Sequence, residues 1–185
     1  MKPLQDKLAD GDATAFELLY EQFSVGLFRF LMSKTGSSDL ASDVLQETFL
    51  RAVKFRDRLR EVNSLQAWLF TIARREADRL LARKSRTRHG DLVEVSGSHA
   101  PAAPAPTDLD DRDEIEVAFA ELTAVDREIL ELHFYGGLTF REIAEVTETP
   151  QGTVATRYRS AMARLRKRLN TVSVMPADAA RETET

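Results

Sequence analysis

Apolar residues recur at helical spacing on both sides of a stretch that has no apolar face of its own. From about 85 to 111 the residues are polar or small, with Pro101, Pro104 and Pro106 in an Ala-Pro run. Such a segment has nothing periodic to bury and reads as an extended linker. The strict alternation of a half-buried strand is absent, and no internal repeat is found. The expected fold class is therefore all-α: two small helical domains joined by a flexible linker, the C-terminal one containing a helix-turn-helix. The expected boundaries are 1–86 for the first domain, 87–111 for the linker, 112–170 for the second domain and 171–185 for a disordered tail.

In the first half, Phe16, Leu19, Tyr20, Phe23, Leu27, Phe30 and Leu31 predict one long amphipathic helix from Asp12, a suitable N-cap, to Lys34. Gly36-Ser37-Ser38 breaks it. A second helix runs from about Asp39 to Phe55, with Leu40, Val44, Thr48, Phe49 and Ala52 inward. The charged stretch Arg56 to Asn63 reads as a loop. Ser64 can cap a third helix whose buried stripe is Leu65, Trp68, Leu69, Ile72 and Ala73, continuing to about Lys84. Trp68 belongs to that stripe and reads as core. The second half predicts helices at about 112–121, 124–135, 139–146 and 150–169.

The last two of these carry the strongest local signal. Thr139–Val146 is followed by a short turn, then by Thr149 as N-cap and Pro150 at the first helical position, where its missing N–H costs nothing. In the final helix Val154, Tyr158, Ala161, Met162, Leu165 and Leu169 share one face, and arginines fill the rest. A helix-turn-helix sets such a helix in the major groove, with its first turns at base edges and later arginines at phosphates. A basic helix alone reads better as a solvated face packed on its neighbour; the preceding helix, the tight turn and the Thr-Pro start reverse that in favour of DNA.

The net charge of −4 looks wrong for a DNA binder until it is divided. Residues 1–90 carry 16 Lys+Arg against 12 Asp+Glu, residues 91–126 carry 1 against 10, and residues 127–170 carry 8 against 5. Two basic blocks flank an acidic middle, and local charge decides phosphate attraction because screening acts beyond about 8–10 Å. The chain has no cysteine, which excludes a disulfide framework, a thiolate metal site and a cysteine nucleophile. The first residues lack the pattern of a secretory signal, and no apolar run approaches the roughly 20 residues that span a bilayer, so a cytoplasmic protein without membrane insertion is expected. The acidic cluster Asp108, Asp110, Asp111, Asp113, Glu114 and Glu116 lacks the alternating ligands and glycine of a calcium loop. The three histidines are scattered, His133 beside Phe134 being placed to point inward. No metal, cofactor or catalytic constellation is expected.

The sequence Asp43-Val44-Leu45-Gln46-Glu47-Thr48-Phe49-Leu50-Arg51-Ala52, then Ala67-Trp68-Leu69-Phe70-Thr71-Ile72-Ala73-Arg74, then Leu122-Thr123-Ala124-Val125-Asp126-Arg127-Glu128-Ile129-Leu130 resembles, in that order, bacterial RNA polymerase sigma factors of the extracytoplasmic-function (ECF) group of the sigma-70 family. The resemblance spans roughly 12–86 and 112–169. It implies a non-enzymatic subunit that binds core RNA polymerase, recognises promoter DNA and promotes strand opening, and that has an anti-sigma factor as an inhibitory partner. Asp43, Gln46 and Glu47 fall on one helix face. The resemblance assigns that face to an arginine-bearing polymerase element; read alone, it is a polar solvent face. It also places Arg56, Arg58, Arg60, Asn63, Arg74, Arg75 and Arg79 at the melted minus-ten element, with Asn63 either reading a base edge or capping the next helix. Thr153, Thr156, Arg157, Arg159, Ser160 and Arg164 are then the candidates for the minus-thirty-five duplex.

The chain departs from the family pattern at Arg75, where asparagine is common, and at Ala155 and Ser160, where arginine is frequent. Glu148 stands where the helix-turn-helix usually has glycine. Either that turn differs here, or Glu148 adopts a left-handed backbone at a cost on the order of 1 kcal/mol. Two other readings stay open at this point: a free-standing dimeric helix-turn-helix regulator, and a decoy that imitates a sigma factor to titrate an inhibitor.

Overall fold

The computed structural model describes residues 4–90, 118–119 and 121–172, with side-chain surroundings to 85 and 168 in the two long terminal helices. Among the described residues the secondary structure is entirely helical. The first domain holds α1 (Leu4–Ala9), α2 (Ala13–Thr35), α3 (Ser38–Lys54) and α4 (Leu65–Gly90), with a 3₁₀ turn at Arg56–Arg60. The second holds α5 (Ala124–Phe134), α6 (Phe140–Thr147) and α7 (Gln151–Val172). Helix α4 runs on to Gly90, past its expected end near Lys84 and into the stretch expected as linker from 87, and α7 runs to Val172, into the expected tail, because neither meets a helix-breaking residue before that point. The rest of the linker, most of the helix expected at 112–121 and the acidic cluster lie outside the described residues.

Local chemistry sets the helix ends. Asp12 accepts from the N–H groups of Thr14 and Ala15 at 3.0 and 3.3 Å, which starts α2. Gly36 ends it in the left-handed region (φ 65°), its N–H on the Met32 carbonyl. The Ser37 hydroxyl caps α3 one residue earlier than expected. The Ser64 hydroxyl, not Asn63, accepts from the Ala67 N–H at 3.2 Å and opens α4. The stretch expected as a loop from Arg56 instead makes a 3₁₀ turn that buries Leu59, and α1 packs on it. The amide of Gln5 in α1 donates to the Val62 carbonyl at 2.9 Å.

One apolar core runs through α2, α3 and α4 and continues into the second domain. Leu27, Phe30, Leu31, Val44, Leu69 and Phe70 belong to the same cluster as Ile129, Leu132, Leu138 and Ile143. Trp68 packs against it half-buried, as expected of a core residue. Helix α4 is therefore covered on two sides, by α2 and α3 and by α6. That widens its buried arc beyond the expected stripe to Ala67, Phe70 and Ala77. A smaller cluster, Ala118, Leu122, Leu130, Ala161 and Leu165, closes the second domain on itself.

Candidate nucleic-acid interface

The helix-turn-helix is α6, the turn at Glu148–Pro150, and α7. A capping box begins α6: the Glu142 N–H donates to Thr139 Oγ1, and the Thr139 N–H donates to Glu142 Oε2 at 2.8 Å. Burial opposes the charge of Glu142, but hydrogen bonds from Ser64 and from the Thr139 backbone and hydroxyl outweigh it and hold this carboxyl below its ordinary value. The turn keeps ordinary helix-turn-helix geometry. Glu148 sits at φ 54° and ψ 36°, the one non-glycine with positive φ among the described residues. The Thr149 N–H closes the helix end on the Ala144 carbonyl at 3.0 Å. Thr149 does not cap α7 as expected: its hydroxyl donates back to the Thr147 carbonyl at 3.2 Å, and the helix begins one residue later.

The strain at Glu148 gives a direct prediction. Glycine there should relieve about 1 kcal/mol of left-handed strain. The ion pair lost with it, Glu148 to Arg75 at 3.0 Å, is mostly exposed and worth little. Glu148→Gly is expected to raise the urea midpoint by an amount equivalent to about 0.5–1 kcal/mol; a lowered midpoint would contradict this.

In α7, Val154, Ala161 and Leu165 are buried, while Thr153, Thr156, Arg159 and Ser160 are exposed. Thr156 donates to the Gly152 carbonyl at 2.9 Å, and Arg159 Nε to the Ala155 carbonyl at 3.2 Å, so both lie along their own helix. Arg157 and Arg164 behave differently. Arg157 Nη1 is 3.0 Å from Asp126 Oδ1 and Arg164 Nη1 is 3.7 Å from Asp126 Oδ2. Asp126 is 5% exposed, so this carboxylate pins α7 to α5 through two of the expected DNA contacts. The other face of α7 enters a ring cluster. Tyr158 lies 4.9 Å from His133 and 5.0 Å from Phe140, and His133 Nδ1 is 2.9 Å from the Leu138 carbonyl. His133 thus points inward as expected.

The first-domain candidates separate into two places. On α3, Asp43 and Gln46 are exposed, and Glu47 is half-exposed in an i,i+4 pair with Arg51 at 2.8 Å. The opposite face buries Val44, Thr48 and Ala52. Beside Gln46 lies an open groove of about 440 Å³ lined by Tyr20, Phe49, Leu50 and Val53. Tyr20, expected inward, is 51% exposed, its ring tilted against Phe49 with the centroids 4.9 Å apart. Around the 3₁₀ turn, Arg56, Arg58 and Asn63 are exposed, Arg58 stands 5.5 Å over the Phe55 ring, and Arg60 pairs with Asp10.

On α4, Arg79 pairs with Glu76 at 2.6 Å. Arg74 and Arg75, both expected at DNA, pair here with carboxylates of the second domain. Arg74 Nε is 3.0 Å from Glu128 Oε1, and Arg75 meets Glu148. Burial works against the charge of Arg74, but the bond and charge of Glu128 outweigh it, so its pKa is raised. Sequence reasoning passes over the other members of this seam: Lys34, Ser33, Glu128, Glu131, and Gly26 and Gly136. The readable signal is Glu128 and Glu131 on the apolar side of α5.

This geometry is that of a two-domain helical factor that carries one helix-turn-helix and one basic helical body. The family described as "Sigma-70 region 2" matches residues 19–87, and that described as "Sigma-70, region 4" matches residues 112–165. The ECF RNA polymerase sigma factor RpoE of Cereibacter sphaeroides is 32% identical over 86% of this chain and 88% of its own. The ECF factor SigL of Mycobacterium tuberculosis is 29% identical over 90% and 95%. A solved structure of the sigma factor RpoE of Bartonella quintana with the anti-sigma factor NepR superposes with a TM-score of 0.64 at 27% identity, covering 84% of this chain and 96% of that one. The structure of CnrH with the cytosolic domain of CnrY shares the fold at 22% identity and a TM-score of 0.62. The chain is a promoter-recognising specificity subunit of RNA polymerase. It belongs to the ECF sigma factors of the sigma-70 family, which binds core polymerase and promoter DNA. Among the described residues no helix is long and apolar enough to cross a membrane.

Proposed function

We infer that the two domains divide the work of initiation as follows. Residues 1–86 dock on core polymerase through Asp43, Gln46 and Glu47 and hold the melted minus-ten strand with Arg56, Arg58, Arg60, Asn63, Arg74, Arg75 and Arg79. Residues 112–170 contact the minus-thirty-five duplex through Thr153, Thr156, Arg159 and Ser160, with Arg157 and Arg164 at phosphates. Carboxylates and an amide on one face suit charge-assisted bonds to arginines of the polymerase. Arginines and an asparagine at the 3₁₀ turn suit single-stranded bases and their backbone. The polymerase makes the phosphodiester bonds, so the protein acts in the cytoplasm as a positioning subunit without catalysis of its own. An anti-sigma factor is its inhibitory partner; the similar Bartonella sigma factor was crystallised in complex with one, NepR.

The observation that carries this reading is the exposure of Thr153, Thr156, Arg159 and Ser160 on a helix whose other face is buried. Footprinting of polymerase reconstituted with this subunit tests it. The double variant Thr153→Ala/Arg159→Ala should lose upstream duplex protection. Arg56→Ala/Arg58→Ala should keep that protection and lose permanganate reactivity of the melted strand. The opposite pairing of losses would overturn the division.

A further inference from the structure

Beside the shared apolar core, the two domains also meet through a polar cluster. Ser33 and Lys34 stand near the end of α2; Glu128 and Glu131 lie one turn apart on α5. Lys34 Nζ is 2.7 Å from Glu128 and 3.0 Å from Asp78, and Arg74 also donates to Glu128. Glu128 thereby takes both cations. Glu131 is 5% exposed and accepts a hydrogen bond from the Ser33 hydroxyl across the seam. The charged and titratable groups around it are Lys34 from α2 and Arg127 and Glu128 from α5, with Arg74 and Asp78 of α4 reaching the cluster through Glu128. Arg127 spends Nε and Nη2 on the Phe119 carbonyl. His133 stands apart in the ring cluster. A carboxylate this buried, with a neutral donor across from it and a second carboxylate beside it, is costly in its charged form.

We propose that closure of the two domains is coupled to protonation of Glu131, so that the chain shuts as pH falls and opens as pH rises, freeing Arg74 and Arg75. The consequence for promoter binding rests on the reading above; the closure itself does not. Burial pushes Glu131 up to about 7, with the Ser33 hydrogen bond and Arg127 offsetting only part of it. Domain separation returns Glu131 to water and to the ordinary glutamate value of 4.5. A group raised in the closed form favours closure fully below its open-form value, and that support is lost as pH rises through its closed-form value. Glu128 acts in the opposite sense. Burial disfavours its charge, yet Lys34 and Arg74 outweigh burial and lower its pKa, so its contribution fails only as pH falls below its ordinary range. The interval between the ordinary carboxylate value and about 7 therefore belongs to Glu131.

The chain has no cysteine, so Asp39→Cys and Ala163→Cys, both at exposed positions, give one dye pair across the two domains of the full chain. Energy transfer is read from pH 5 to pH 8. Transfer should fall with rising pH, the opening equilibrium shifting by roughly tenfold or more. Glu131→Gln should stay closed at pH 8 with a flat profile. Glu128→Gln should loosen closure at every pH and keep the slope. Gly26→Ala supplies the open reference, because a β-carbon there would collide with the Tyr135 carbonyl oxygen. If Glu131→Gln loses native helical circular dichroism, Glu131→Met carries the same expectation. A pH-independent parent, a neutral variant with the parent's slope, or a closed Gly26→Ala would each overturn the proposal.

Discussion

Phe70→Ala is expected to cost about 3–5 kcal/mol, the range for removing a fully buried phenylalanine. Phe70 is 1% exposed and meets Phe30 edge-on at 5.5 Å between ring centres. Its Cζ also lies against the sites of Gly26 and Gly136, where the second domain's α5–α6 turn approaches α2. The same ring therefore fills the first domain's core and lines the seam. Truncation should lower the urea midpoint of the first domain and loosen domain closure together. Chemical denaturation followed by circular dichroism checks it, and a loss below about 1 kcal/mol would show that Phe70 is not the shared core residue described here.

The second large effect is functional. Reversing both charges with Asp43→Lys/Glu47→Lys should weaken binding to core polymerase by roughly 100-fold, since truncating or inverting a paired interfacial charge commonly costs about 2–5 kcal/mol. The fold should survive. Asp43 is exposed, and the pair Glu47 gives up, with Arg51, is partly solvated and worth little. Pull-down against core enzyme, with helical circular dichroism as the fold control, separates the two outcomes. Unchanged affinity would remove the docking face from α3.

Much of the fold is legible from side-chain periodicity, because caps and turns act locally. Asp12, Ser64 and the capping box at Thr139 each start a helix near the expected place. Glu148 shows the limit of that logic. Its substitution for glycine announces either strain or a different turn, and only backbone angles can say that the turn is kept and the strain accepted. The 3₁₀ turn at Arg56–Arg60 is hidden because its charged residues bury only Leu59. The seam is hidden for a different reason. Helical spacing reports which face is apolar, not which partner covers it, so Phe70 and Ala77 read as lying beyond the stripe until α6 is seen against α4. Arg74, Arg75, Arg157 and Arg164 likewise carry charge that suits phosphate, yet each has a carboxylate partner in this closed form. Sequence alone cannot tell a cation waiting for DNA from one held by a neighbouring domain.

Purified chain added to sigma-free core polymerase, with a genomic fragment library as template and transcript starts mapped, is the shortest test of promoter recognition by this subunit. Starts are expected at a limited set of shared upstream sequences, and they should vanish when the chain is omitted. Transcripts identical with and without it, across the whole library, would contradict a role in initiation.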